Sequence, residues 1–190
     1  MPHSLQVSPT NICNLNCIFC SVAERDKNLE WDFHDLKRAI IKFMQSGIKT
    51  IEISGGGEPT LYSYFDELAD FCHTVCLPMG LITNGTLLNK VSTKTLNKFR
   101  WIRISMTCLD YIEDIEIPKL YDTTIGFSYV LGQIDYTGAD RKFFINQMDT
   151  LRKLKEYALK YNAKYVRIVP ECFIDEEGMK EFHIKYEEIV

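Results

Sequence analysis

No stretch of this sequence approaches the roughly 20 consecutive apolar residues needed to span a membrane. The first residues, Met1-Pro2-His3-Ser4-Leu5, lack the basic and then apolar run of a secretory signal. There is no Lys/Arg block or basic tail, and the net charge is −4, which argues against nucleic acid as the main partner. Histidine is scarce: His3, His34, His73 and His183 are scattered and show no ligand spacing. Linkers, repeats and low-complexity segments are absent, so residues 1–190 read as one domain, long enough to bury a core. What is present is an ordinary globular composition, 46% hydrophobic and 25% charged. Seven cysteines without a signal sequence point to a reducing, cytoplasmic setting and to thiol or metal chemistry instead of a disulfide framework.

Three of those cysteines fall within eight residues, Cys13-Asn14-Leu15-Asn16-Cys17-Ile18-Phe19-Cys20, with the spacing C-x3-C-x2-C. A loop this tight can aim three thiolates at one point. Three thiolates leave one iron of a [4Fe–4S] cube without a protein ligand, whereas a fourth cysteine would close the site. An open iron is a place where a small molecule can bind and react. A structural zinc loop and a set of surface thiols are the alternatives for this octapeptide.

Patterning along the chain alternates strands with helices. Strands are expected over residues 5–10, 50–54, 79–83, 101–107, 124–131 and 164–169. A first helix opens at the N-cap Asp32 with Phe33, Leu36, Ile40, Phe43 and Met44 on one face, and Gly47 stops it. A second is capped by Ser63, a third covers residues 88–99, and a fourth covers 147–161 with Met148, Leu151, Leu154 and Ala158 inward. The tail from Asp175 reads as a last helix. The alternation predicts an α/β fold with right-handed crossovers and parallel strands, as an open doubly wound sheet or a barrel. In either, chemistry belongs at the carboxyl ends of the strands. The cysteine loop and the turn Gly55-Gly56-Gly57-Glu58-Pro59 both fall there.

Strand side chains alternate between two faces. Arg103 shares the phase of Ser105, while Gln6, Glu52 and Arg167 are each opposite in phase to their apolar neighbours. Charges on an inner face need partners. Glu52 is therefore expected to pair with Arg103 or Arg167.

The cysteine motif, with the aromatic Phe19 before its last cysteine, resembles the cluster motif of the radical S-adenosylmethionine (SAM) enzymes. Further elements follow in that family's order. Gly56-Gly57-Glu58 resembles the "GGE" element, whose backbone receives the amino group of SAM. Thr83-Asn84-Gly85 resembles the "TNG" element. Ser105 matches the first position of a Ser/Asn and Asp pair that holds the ribose and carboxylate of SAM. Thr107 stands where the acid is common, with Asp110 as a candidate substitute. Residues 166–170 resemble the last core strand, whose backbone near the proline faces adenine, which gives Val169; Phe19 is a second candidate there.

The resemblance implies a partial (β/α)6 barrel of parallel strands, with a [4Fe–4S] cluster on Cys13, Cys17 and Cys20. It implies SAM held by Gly56, Gly57, Glu58, Asn84 and Ser105. It also implies reductive cleavage of SAM to a 5′-deoxyadenosyl radical, which abstracts hydrogen from a small-molecule or peptide substrate. A one-electron donor such as flavodoxin or ferredoxin is the implied partner. Cys108 and Cys172 follow strands four and six and are candidate thiol hydrogen donors, whereas Cys72 and Cys76 read as helix packing at the opposite end. The nearest likeness is to the molybdenum-cofactor and peptide-maturase branch, which carries auxiliary clusters in a C-terminal extension that this sequence lacks. An iron–sulfur binding or electron-transfer module that does not cleave SAM is the rival reading.

Overall fold

The structure is a computed structural model that describes residues 3–132, 140–171, 175–180 and 183, with only the backbone described over 140–146. Six strands pair in parallel: β1 (Ser4–Val7), β2 (Thr50–Ile53), β3 (Met79–Thr83), β4 (Phe99–Ser105), β5 (Thr124–Leu131) and β6 (Val166–Pro170). Their order in the sheet is their order along the chain. A doubly wound sheet reverses direction at a switch point. This one does not, so crossovers of one hand put every helix on the same face. Helices α1 (Phe33–Gln45), α2 (Phe65–Thr74), α3 (Thr93–Leu96) and α4 (Asp140–Lys160) occupy the crossovers, and only a 3₁₀ turn, Met106–Asp110, joins β4 towards β5. The fold is α/β, a partial (β/α)6 barrel; among the described residues no ladder returns from β6 to β1.

The two faces of the sheet differ sharply. Ile51, Ile53, Leu81, Ile102, Ile104 and Phe127 are 0–1% exposed and lie in the phase that meets the helices. The other phase carries Glu52, Ile82, Arg103, Ser105 and Ser128, all half-buried, with Gln6 and Arg167 exposed. Parallel sheets covered on both sides read as continuous apolar runs. The alternation here marks an inner face that the described residues cover only in part. Near the amino ends of the strands that face is floored by aromatic rings. A Cβ on Gly80 would lie 2.1 Å from the Trp101 indole, and one on Gly126 would lie 2.2 Å from the Tyr165 ring. Only glycine leaves room for a ring against the strand at those two positions.

Several expected boundaries move, for local reasons. Asp32 caps α1 by accepting from Asp35 N, with Leu36 and Ile40 buried, Phe33 and Met44 half-buried, and Phe43 exposed. Ser63 is not a cap: Tyr64 precedes α2 without a side-chain bond, while Glu58 caps the 3₁₀ turn Pro59–Leu61. The expected helix over 88–99 is a 3₁₀ turn (Leu88–Lys90) and the single turn α3, capped by Ser92. Asn89, Val91, Ser92, Thr93, Thr95 and Asn97 are β-branched or compete for backbone bonds, which shortens a helix. β4 ends at Ser105, because the Thr107 hydroxyl, in place of a strand carbonyl, accepts from Val130 N at 3.1 Å. Among the described side chains of α4, Gln147, Thr150, Leu154 and Tyr157 are buried; Met148, Leu151 and Ala158 are half-buried. Residues 176–180 are helical. The rest of the expected tail helix, with Phe182, Ile184, Tyr186 and Ile189, lies outside the described residues. Among the described residues no helix is long and apolar enough to cross a membrane.

Cys72 is wholly buried in α2, and burial pushes its thiol up to about 12. Cys76 ends the same helix at φ 56°, with its N–H donating to His73 O at 3.0 Å and Leu77 N donating to Cys72 O at 2.9 Å. Left-handed backbone is a glycine position. Cys76→Gly should therefore raise unfolding stability by about 1 kcal/mol. Denaturant midpoints check this, and a lower midpoint would show that the thiol contributes more than the backbone costs.

Candidate functional site

The cysteine loop hangs from the end of β1 and closes on itself. Trp31 N donates to Pro9 O at 2.9 Å, Asn11 N donates to Leu29 O at 2.8 Å, and Thr10 and Glu30 form an antiparallel bridge. Inside, the chain turns repeatedly, with Cys20 N to Cys17 O and Ala23 N to Cys20 O, both 3.1 Å. Cys13, Cys17 and Cys20 are free and half-buried. The Cys17 thiol is pushed up to about 11, first by burial and then by the like charge of Cys13 and Cys20. Such a group becomes a thiolate when a metal takes the place of its proton. Among the described residues no three His, Cys, Asp or Glu side chains converge on a single ion. One zinc ion would hold thiolates at about 2.3 Å from a common centre, whereas a cube carries each on a different iron.

The Gly-rich turn after β2 rests directly on this loop. Gly57 N donates to Thr10 O at 3.0 Å and Glu58 N to Ile12 O at 2.8 Å. A Cβ on Gly57 would sit 2.1 Å from Ile12 O, and one on Gly56 2.5 Å from Asn11 Oδ1. Gly57 must be glycine for this backbone contact with the chain entering Cys13, whereas Gly56 faces the end of the Asn11 side chain. Glu58, whose backbone is the part expected to meet SAM, has its side chain committed to protein. It is 2% exposed, and its Oε1 accepts from Thr60 N (3.1 Å), Thr60 Oγ1 (2.7 Å) and Thr83 Oγ1 (2.6 Å), while Oε2 accepts from Asn84 N at 2.7 Å. Four donors use up the carboxylate, so Glu58 positions the turn after β3.

Asn84 faces the cysteine loop in turn. Its Nδ2 donates to Asn14 Oδ1 at 2.9 Å, and its Oδ1 accepts from Thr86 N (3.0 Å) and Thr86 Oγ1 (2.7 Å). Asn14 Nδ2 donates back to Thr86 Oγ1 at 2.7 Å. A triangle of side chains thus grips the residue between Cys13 and Cys17. After β4, the Tyr111 hydroxyl accepts from Ile18 N at 3.0 Å. Asn14, Thr86, Tyr111 and Arg25 were not expected at the site. Their contacts cross up to 93 residues of sequence, and no local pattern announces them.

The remaining expected residues divide. Ser105 ends β4 half-buried, with its hydroxyl 3.4 Å from Thr107 Oγ1. Thr107 is 1% exposed and tied to β5. Asp110 is no free substitute for an acid there, because Tyr129 OH (3.0 and 3.1 Å) and Thr150 Oγ1 (2.8 Å) both donate to it. Burial raises the Asp110 carboxyl above the usual range, against the pull of those two hydroxyls. Cys108 is 1% exposed, and burial first, then Asp110 and Cys17, pushes its thiol up to about 12. Burial keeps its S–H protonated and away from solvent. Val169 is half-buried beside Val130, and Phe19 is half-buried in the loop. Cys172 lies outside the described residues.

The expected pairing of Glu52 with Arg103 or Arg167 is not made. No ion pair of the described residues includes any of the three. Lateral register explains why. Glu52 lies level with Gly80, which a register shift beside Met79 sets level with Trp101, whereas Arg103 lies level with Ile82 and Gly126. The Trp101 ring covers Gly80, the position level with Glu52.

A parallel half-barrel with three loop cysteines and a glycine turn at the carboxyl ends of its strands defines a class of cluster-binding α/β enzymes. The family model for the Radical SAM superfamily matches residues 7–170. This chain belongs to that superfamily, whose enzymes use a [4Fe–4S] cluster and SAM. A GTP 3′,8-cyclase of Staphylococcus epidermidis is 34% identical over 142 residues, covering 70% of this chain and 41% of the relative. The crystal structure of Streptococcus suis SuiB bound to S-adenosylmethionine superposes at TM-score 0.65 and 15% identity, over 99% of this chain and 48% of that one. SuiB bound to its precursor peptide SuiA gives TM-score 0.65 at 16% identity, over 99% and 46%. These two structures share the fold. The chain spans less than half the length of each of these relatives.

Proposed function

We propose that the protein cleaves SAM reductively at a [4Fe–4S] cluster held by Cys13, Cys17 and Cys20. When bound there, the cluster would supply the electron that splits SAM into methionine and a 5′-deoxyadenosyl radical able to take hydrogen from a substrate. One observation carries this reading: three half-buried thiols share a closed loop seated on a glycine turn, at the carboxyl ends of the strands. Gly56 and Gly57 offer close backbone approach beside the cluster. Asn84 and Glu58 hold the loop in place, and Ser105, Val169 and Phe19 border the space left for SAM. The substrate, a small molecule or a peptide, enters over the open inner face. A one-electron donor, a flavodoxin or ferredoxin, supplies the reducing equivalent.

Anaerobic reconstitution followed by reduction with dithionite in the presence of SAM tests this. The expected product is 5′-deoxyadenosine, released without added substrate and measured by chromatography. A brown, cluster-loaded protein that yields none would favour an electron-transfer module, and a colourless zinc-loaded one would favour a structural domain.

A further inference from the structure

The Arg25 guanidinium is fixed between the two ends of the cysteine loop. Its Nε donates to Asn11 O at 2.9 Å and its Nη1 to Val22 O at 2.8 Å. The same Nη1 lies 3.4 Å from Cys20 Sγ. Two carbonyls would suffice for a brace; the third contact brings a cation to a sulfur. Arg25 is half-buried, and no carboxylate pairs with it among the described residues. Across the loop, the Tyr111 hydroxyl accepts from Ile18 N, the neighbour of Cys17, at 3.0 Å and lies close enough to the Cys17 thiol to interact with it. Ile18 N is a donor, so it occupies an oxygen lone pair and leaves the phenolic proton free to point at Cys17.

We infer that Arg25 and Tyr111 set the reduction potential of the cluster by donating hydrogen bonds to the thiolates of Cys20 and Cys17. The inference rests on the cluster reading proposed above. One-electron reduction, by an external low-potential donor, adds a negative charge to the cluster and its sulfurs, and no proton need move. Donors and a cation at those sulfurs favour the more negative state, and hydrogen bonding to ligand sulfur is one of the levers that set such potentials. Partial burial of Arg25 limits the screening of its charge by salt. The two residues thereby ease electron entry and reduce the driving force left for cleaving SAM. Neither needs to touch SAM or substrate; both act through the cysteines.

The test is a redox titration of the full chain, followed by electron paramagnetic resonance, with iron measured on every sample. Arg25→Met and Tyr111→Phe should each move the midpoint to a more negative potential. Arg25→Lys, which keeps charge and loses the fork, should fall between Arg25→Met and the unaltered protein. The double variant Arg25→Met/Tyr111→Phe should move furthest. A purely bracing role would lower cluster content without moving the midpoint of the loaded fraction. Unchanged midpoints in cluster-loaded variants would overturn the inference. If Arg25→Met fails to load, Arg25→Lys and Tyr111→Phe decide, since one preserves the cation and the other removes a single hydroxyl. Absence of any [4Fe–4S] signal in the unaltered protein would instead overturn the cluster reading, and this inference with it.

Discussion

Replacing Cys17 by Ala should strip the cluster while leaving the fold intact. Cys17 lies half-buried in a loop outside the strand ladders and outside the main apolar core. Loss of its side chain removes no core packing, so the change in stability of the metal-free protein should stay within about 0.5 kcal/mol. Two thiolates hold a cube poorly. Iron in the reconstituted protein should therefore fall from about four per chain towards zero. Release of 5′-deoxyadenosine should vanish with it, while far-ultraviolet circular dichroism stays unchanged. Cys76→Ala serves as the control, because that thiol ends α2 before β3, at the amino ends of the strands. Full iron content in Cys17→Ala would remove the loop from consideration as the cluster site.

Glu58→Gln should be the most damaging single-atom change at the site. A glutamine can keep one oxygen towards Thr60 and Thr83, but its amide nitrogen then faces Asn84 N, which donates to Oε2 at 2.7 Å. Two donors face each other in a position 2% exposed. The cost should be about 2 kcal/mol, and about 4 kcal/mol for Glu58→Ala, which strands all the donors. For a chain of this size that lowers the thermal midpoint by about 5 °C and about 10 °C respectively. The loosened turn after β3 carries the Asn84 grip on Asn14, so a chelator should also strip the cluster faster. Unchanged stability in Glu58→Gln would show that the carboxylate is free for a ligand.

The alternation of strands with helices, the helix over 33–45 and the place of the cysteine loop were legible because each rests on periodicity or on spacing within a few residues, whereas the barrel order of the strands followed only from the family resemblance. Residues 88–99 misled because their apolar content suggested a helix, while their Ser, Thr and Asn side chains hold the backbone in single turns. Alternation correctly put Arg103 in the phase opposite to Ile102 and Ile104. It said nothing of lateral register, which sets Glu52 level with Gly80 and Trp101 while Arg103 lies further along, level with Ile82. At the site, the motifs located Glu58 and Asn84 without revealing that their side chains bond to protein. That choice depends on which strand ends become neighbours, a property of the folded sheet.

The cysteine loop rests on three separate supports: the Gly57–Glu58 backbone after β2, the Asn84–Thr86 turn after β3, and Tyr111 after β4. Two supports would let a body rock about the line joining them, and a third removes that freedom. The tilt of the loop is thus written in the relative heights of three neighbouring strand ends. A substitution that slides one strand by a fraction of a residue, even beside Met79 at the far end of the sheet, would tip the plane of the three sulfurs without breaking a single bond to them.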